Sequence, residues 1–253
     1  MKIDVLGYSN SVQTGESGNT SLVVSSAGTA VLVDVSGSPC RELIFRGIDP
    51  DTFGHLVITH GHADHSYAFP SLMHDLRQRK RVKELTVSGN AHALSILKKL
   101  LAIYDLESKA GATPIQWQQI EAGTAIEADD IKITAFEVFH NQAVPTLGYV
   151  FESQGKKISY FPDSCAREPY PLCAQNADIV FHEAGGLRAE EAALKKVGHS
   201  SGRQAAMLAK SLAAKKLVLA HLPPDPNMVR GILKEAQEVF PAAELPALSY
   251  TIQ

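Results

Sequence analysis

An apolar run from His55 to Thr59 ends directly on His60-Gly61-His62-Ala63-Asp64-His65. Four side chains able to bind metal ions crowd into that one tight turn. Imidazole nitrogen suits zinc, and a carboxylate suits a second cation of similar hardness. Four such groups cannot all serve one ion from so short a turn and still leave room for substrate. His60 and His62 can face one ion while Asp64 and His65 face a neighbour. A polar loop with stray histidines is the competing reading, and the density of ligand-type residues weighs against it. The fold must then bring further ligands to the same place, most simply from the ends of sheet strands.

Three other segments have that form. Val138-Phe139-His140, Tyr160-Phe161-Pro162-Asp163 and Val218-Leu219-Ala220-His221 are each an apolar run stopping at one ligand-type residue. Alone, each His or Asp reads equally well as a cap on a turn. Together with the first motif they predict a two-metal site.

The remaining pattern predicts alternating strands and helices. Lys2–Leu6, Ser21–Ser25 and Thr29–Val35 read as strands, the last two joined at Ser26-Ala27-Gly28, after a polar loop from Gly7 to Thr20. Helical periodicity covers Ser66–Arg81 and Ala91–Leu106, with Asn90 as a cap. Four strands follow, Thr124–Glu127, Ile131–Phe139, Leu147–Glu152 and Lys157–Phe161, with Gln154-Gly155 as a turn. Strand Ile179–His182, helix Gly202–Ala214, strand Leu217–Ala220 and helix Met228–Phe240 complete the chain. There is no repeat or convincing linker, so residues 1–253 read as one domain of two similar halves. The expected architecture is α/β: two mixed sheets face to face with helices outside, a four-layer αββα sandwich.

Bulk properties exclude several classes. A formal net charge of −3 gives no general attraction to nucleic acid. No apolar run reaches membrane-span length, and the first residues lack a signal-type apolar stretch. Cys40, Cys165 and Cys173 match no zinc-knuckle spacing and read as free thiols, which fits a cytoplasmic location.

With these residues in place, the chain resembles the metallo-β-lactamase superfamily along nearly its whole length. His60 to His65 fits that family's His-x-His-x-Asp-His signature, and His140, Asp163 and His221 fall in the order of its remaining ligands. Asp34 matches its strand-end Asp that supports the motif turn. The chain is more similar to the ribonuclease Z and phosphodiesterase branch. Phe139-His140 followed by Gly148-Tyr149, the His182-Glu183-Ala184 segment, and Gly198-His199-Ser200-Ser201 carry that likeness. The departures are Pro162-Asp163-Ser164-Cys165, the sequence Leu222-Pro223-Pro224 after His221, and a short hairpin where ribonuclease Z has a long tRNA-gripping arm.

The resemblance implies that His60, His62 and His140 hold one divalent ion and that Asp64, His65 and His221 hold another. Asp163 would bridge them, with a hydroxide between the ions. Zn suits the His-rich set, and Mn or Fe suits the carboxylates. His199 reads as general acid or transition-state stabiliser, against a packing role. Glu183 would orient a histidine or relay a proton, against a buried structural carboxylate, and Asp64 counts with these two as catalytic. Arg167 reads as a surface residue, His182 as support for the site, and Cys165 as a small packed residue near it. His55, His74 and His92 read as structural or exposed, and Trp117 as core or cleft wall.

The expected activity is hydrolysis of a small cyclic or nucleotide-like phosphodiester, with tRNA disfavoured. The alternative is a lactonase or carboxylic esterase on the same two-metal site. A non-enzymatic metal-dependent sensor is the third reading, and it predicts damaged ligands that this sequence lacks. The resemblance also implies a homodimer.

Overall fold

Strand β4 (His55–Val57) delivers the histidine-rich turn. The computed structural model describes residues 1–141 and 143–252. One sheet takes β1 (Lys2–Gly7), β2 (Ser21–Ser26), β3 (Thr29–Val33), β4, β5 (Leu85–Gly89) and β6 (Ile115–Gln119), with β14 (Ser249–Thr251) beside β1. The other takes β7 (Ala125–Ala128), β8 (Ile131–Asn141), β9 (Val144–Ser153), β10 (Lys156–Phe161), β11 (Ile179–Glu183), β12 (Leu217–Ala220) and β13 (Ala243–Glu244). In each sheet antiparallel strands lead into parallel ones, the change falling at β3–β4 and at β10–β11.

Side-chain alternation assigns the layers. Ile3, Val5, Leu22, Val24, Val31, Val33 and Val57 meet Ile133, Tyr149, Phe151, Tyr160, Phe181 and Val218 between the sheets. The opposite face of the first sheet packs on α1 (Pro39–Phe45), α3 (Phe69–Gln78) and α4 (Ala91–Ile103). The opposite face of the second packs on α6 (Gly202–Ser211) and α7 (Pro226–Val239). This is the four-layer αββα sandwich. Strands covered on both faces read as continuous apolar runs, which is why β10, β11 and β12 show little alternation in sequence.

The two-residue hairpin turns use backbone that favours glycine. Ala27 and Gly28 lie at φ 42 and 94, and Gln154 and Gly155 at φ 50 and 72. Both turns have the positive-φ pair that matches strand twist. The second joins β9 directly to β10, so the hairpin before Asp163 is as short as expected.

Several boundaries differ from the sequence reading. The helix expected over Ser66–Arg81 is two pieces, α2 (Ala63–Ser66) and α3. Pro70 has no N–H to offer the Ser66 carbonyl, so it starts a new helix instead of continuing one. The third strand stops at Val33 because Asp34 turns left-handed at φ 58. Strand β8 runs two residues beyond Phe139, with an irregular register between Val138 and Asn141, so His140 lies inside its end. Elements α1, β5, β6, α5 (Glu191–Val197), β13 and β14 had no clear sequence signal. Most are short, and edge strand β6 mixes glutamines with its apolar residues. No helix among the described residues is long and apolar enough to cross a membrane.

Candidate metal centre

The ends of β4, β8, β10, β11 and β12 converge on one rim of the sandwich. Open α/β sheets build sites there because the carboxyl ends of parallel strands share an edge. The two sheets are tied together at this rim. The Tyr149 hydroxyl donates to the Ile58 carbonyl at 2.8 Å, and the Leu147 N–H donates to the Thr59 carbonyl at 2.9 Å.

Two donor sets form. His60, His62, His140 and Asp163 make the first, and Asp64, His65, Asp163 and His221 make the second, with donor atoms of each set within 4.8 Å of one another. In the first, His62 Nδ1 lies 3.0 Å from His60 Nε2 and 3.2 Å from His140 Nε2. Asp163 Oδ2 lies 3.8 Å from His60 Nε2 and 4.0 Å from His140 Nε2. In the second, Asp163 Oδ1 lies 3.3 Å from His65 Nε2 and 3.2 Å from His221 Nε2. Asp64 Oδ2 lies 3.7 and 3.5 Å from the same two nitrogens. Asp163 therefore turns one oxygen to each set. Ligands at about 2 Å around a tetrahedral ion stand roughly 3.3 Å apart, so these spacings suit cations.

The outward nitrogens of His60, His65 and His140 are held. His140 Nδ1–H donates to the Gly198 carbonyl at 3.0 Å, and His65 Nδ1–H donates to Asp34 Oδ2 at 2.8 Å. Thr59 Oγ1 lies 3.0 Å from His60 Nδ1 and also bonds Asp34. This leaves Nε2 of these three rings facing inward as a lone pair, the arrangement metal-binding histidines use, while His62 turns Nδ1 to the first set. Two of the inward atoms, His65 Nε2 and Asp163 Oδ1, are buried with no hydrogen-bond partner among the described residues. Leaving such atoms unsatisfied costs about 1–3 kcal/mol each, a cost a cation would remove. The histidines and aspartates present thus fit divalent metal ions.

The electrostatics agree. Burial, then neighbouring His65, holds His60 well below its usual range, and burial with His140 lowers His62. Burial alone would raise Asp163, but His221 and His65 hold it well below the usual carboxylate range. These groups are the neutral bases and anion that cation binding needs. His65 differs. Burial opposes its charge, yet Asp163 and Asp34 raise it well above the ordinary value, so a cation must displace a proton there.

Beside both sets stands His199. Its ring lies 5.0 Å from that of His140 and stacks on His221 at 5.4 Å. Its Nδ1–H donates to Glu183 Oε1 at 2.9 Å. Glu183 is fully buried and also accepts from the backbone N–H groups of Ser164, Gly185 and Ser200. Three of the four donors reach Oε1 and one reaches Oε2, and Glu183, His199 and His221 also bring donor atoms within 4.8 Å of one another. Burial opposes a charge on His199, but Glu183, then Asp163 and Asp64, raise it to about 9.

Of the other residues singled out, Asp34 is fully buried and holds Thr59 and His65. His182 is buried against Phe161, and Cys165 leans on the carbonyls of Lys195 and His199. Arg167 stacks over Phe139. Trp117 lies on edge strand β6, against Phe69 and under Lys98. His92 is closer to the site than expected, since a β-carbon on Gly61 would lie 3.0 Å from its ring. Sequence reasoning missed Thr59 and the roles of Tyr149 and Gly198. Gly198 sits at φ 81, and only the glycine itself signalled it.

The fold and this site define a class, and comparison with known proteins agrees. Residues 31–222 match the beta-lactamase superfamily domain, and the chain belongs to that family. Ribonuclease Z of Methanothermobacter thermautotrophicus is 24% identical over 295 aligned positions, covering 97% of this chain and 94% of that protein. Human tRNase Z, short form, superposes with TM-score 0.81 at 19% identity and full coverage of both chains. A diphosphatase from the PhnP family superposes with TM-score 0.76 at 19% identity, covering 100% of this chain and 98% of that one. At such identities the structural likeness speaks for the fold.

Proposed function

We propose that this metal-dependent hydrolase cleaves the phosphodiester bond of a small cyclic or nucleotide-like ester. The observation that carries the reading is the Glu183–His199 pair set against both donor sets. His60, His62 and His140 would hold one cation, Asp64, His65 and His221 the other, and Asp163 would touch both. When bound, two such cations supply Lewis acidity, lowering the pKa of water and screening the charge of a phosphodiester. His199 then offers a proton to the leaving alcohol, and Glu183 keeps its imidazole protonated and oriented. Ser164, Gly185 and Ser200 fix that carboxylate, so the acid is placed before substrate arrives.

A small substrate is favoured by the two-residue turn between β9 and β10. The ribonuclease Z alignment covers 295 positions against 253 residues here, so that relative has stretches without counterpart in this chain. A lactone or carboxylic ester is the second reading, because the same donor sets would polarise a carbonyl and fold does not fix substrate.

The test is a panel of bis-p-nitrophenyl phosphate, a p-nitrophenyl acyl ester, a simple lactone and a precursor tRNA, with elemental analysis. Turnover of the phosphodiester with two cations bound is the expected result, and His199→Ala, with cations retained, should slow an alkyl phosphodiester more than the p-nitrophenyl ester. Faster lactone or acyl-ester turnover moves the assignment to the second reading. Strong preference for precursor tRNA removes the small-substrate part. Two bound cations with no turnover of any substrate points to a sensor.

A further inference from the structure

A short segment next to the donor sets ties together three parts of the rim. Cys165 comes two residues after the donor Asp163, and its N–H donates to the Phe139 carbonyl at 2.7 Å. Its sulfur lies 3.5 Å from the His199 carbonyl and 3.7 Å from the Lys195 carbonyl. The next N–H, of Ala166, donates to Ser200 Oγ at 2.7 Å. The segment therefore joins the end of β8 that carries His140, the last turn of α5, and the loop that carries His199.

Two cations grow from this junction. Arg167 follows Ala166 directly, is exposed, and holds its guanidinium 4.4 Å from the centre of the Phe139 ring. Phe139 is itself 39% exposed and immediately precedes the donor His140. Consecutive Cα atoms are about 3.8 Å apart, so covalent geometry keeps this guanidinium within about 12 Å of the His140 Cα. Lys195 is exposed on the other side of Cys165, in the last turn of α5. Among the described residues neither cation has a carboxylate within ion-pair distance, although Glu168 is the neighbour of Arg167 in sequence.

The surroundings select what these cations bind. In a chain of formal net charge −3, two unpaired cations flanking the His199 loop make a local positive field beside the donor sets. A helix end accounts for a lysine in the last turn of α5, but not for an arginine outside that helix. The guanidinium is a planar fork matched to phosphate oxygens, and stacking on Phe139 orients it before a ligand arrives. Lys195 adds a second, flexible charge. We propose that Arg167 and Lys195 form a shelf for a second phosphate group of the substrate, outside the bond that is cleaved. The donor sets take the phosphodiester, and the shelf takes a terminal phosphomonoester on one of its arms. This rests on the phosphodiesterase reading above and narrows it to nucleotide-like esters that carry a further phosphate.

The experiment compares thymidylyl-thymidine with its 5′-phosphorylated and 3′-phosphorylated forms, using the zinc-loaded protein. At least one phosphorylated form should show kcat/KM about tenfold or more above the plain dinucleotide, mainly through KM. Arg167→Glu and Lys195→Glu should each reduce that ratio, and the double variant should bring it near one. Arg167→Lys should keep part of it. Lys234→Glu, on the exposed side of α7, makes the same change in net charge elsewhere and should leave the ratio unchanged. Equal kcat/KM for all three dinucleotides overturns the shelf and leaves the phosphodiesterase reading standing. A preference that survives the double variant, or that Lys234→Glu reduces as much, also overturns it. If no dinucleotide is hydrolysed, the phosphodiesterase reading fails, and calorimetric titration with the same three compounds decides the shelf. Tighter binding of a phosphorylated form, lost in the double variant, supports it, and equal affinities overturn it.

Discussion

A β-carbon on Gly198 would lie 2.0 Å from the carbonyl oxygen of His140. The glycine ends α5 in the left-handed region at φ 81, and its own carbonyl accepts the His140 Nδ1 proton. Gly198→Ala therefore combines a left-handed alanine, about 1–2 kcal/mol, with a backbone clash beside a donor group. The expected loss is about 2–4 kcal/mol of stability, with weaker cation uptake by the His60–His62–His140 set. Chemical denaturation and zinc titration check both parts. Unchanged values would mean that the His140 strand end shifts freely.

Asp34 is the group that fixes His65. Asp34→Ala leaves Thr59 N–H and His65 Nδ1 without their buried acceptor. Cation affinity of the Asp64–His65–His221 set should drop about 10- to 100-fold, with the other set less affected. Calorimetric titration should resolve one weakened site of two. Two sites of parental affinity would remove Asp34 from the supporting role.

The Glu183–His199 pair gives a pH prediction. Glu183 raises His199 to about 9 in the cation-free protein, so the imidazolium is favoured at neutral pH, and activity should fall on the alkaline side. Glu183→Gln removes the carboxylate that raises it, so the alkaline limb should move to lower pH. His199→Ala should lower kcat about 10²- to 10⁴-fold with cations retained. The pair's contribution to stability has the same sign. It is complete below the ordinary histidine value and is lost as pH rises toward 9. Urea midpoints across that range, in parent and Glu183→Gln, test the linkage.

Cys40 lies buried in α1, and burial, then Asp75, pushes its thiol up to about 12. Cys165 and Cys173 are only half-buried. In the folded protein at pH 8, a thiol reagent should modify Cys165 and Cys173 and spare Cys40. Unfolding should expose all three. Peptide mass mapping reads the result, and prompt modification of Cys40 would show that α1 opens in solution.

Much of the site was legible because chemistry and position coincide in the chain. His60, Asp163 and His221 each follow an apolar strand, and the sandwich brings those ends to one rim. The partners were less legible. Thr59 and Tyr149 act through a hydroxyl aimed at a distant backbone or carboxylate, and neither residue type signals that in sequence. His92 reads as an ordinary helix residue until folding sets it against Gly61. The architecture followed from alternating strands and helices, whereas short α1 and the polar-interrupted edge strand β6 carry too few apolar positions to show a period. Pro70 was visible throughout, but its breaking of the helix depended on the Ser66 carbonyl one turn earlier.

His60, His62, Asp64 and His65 come from the first sheet's half of the chain, and His140, Asp163 and His221 from the second. A cation held by either set is therefore a cross-link between the sheets, and a reversible one. The three cysteines form no disulfide. In place of a fixed covalent brace, this fold would then have one whose strength follows metal supply and competition from chelators. Stripping the metal should loosen the seam at the rim while the apolar interface behind it still holds the sheets together. Resistance to unfolding at that edge and catalytic competence would then rise and fall together.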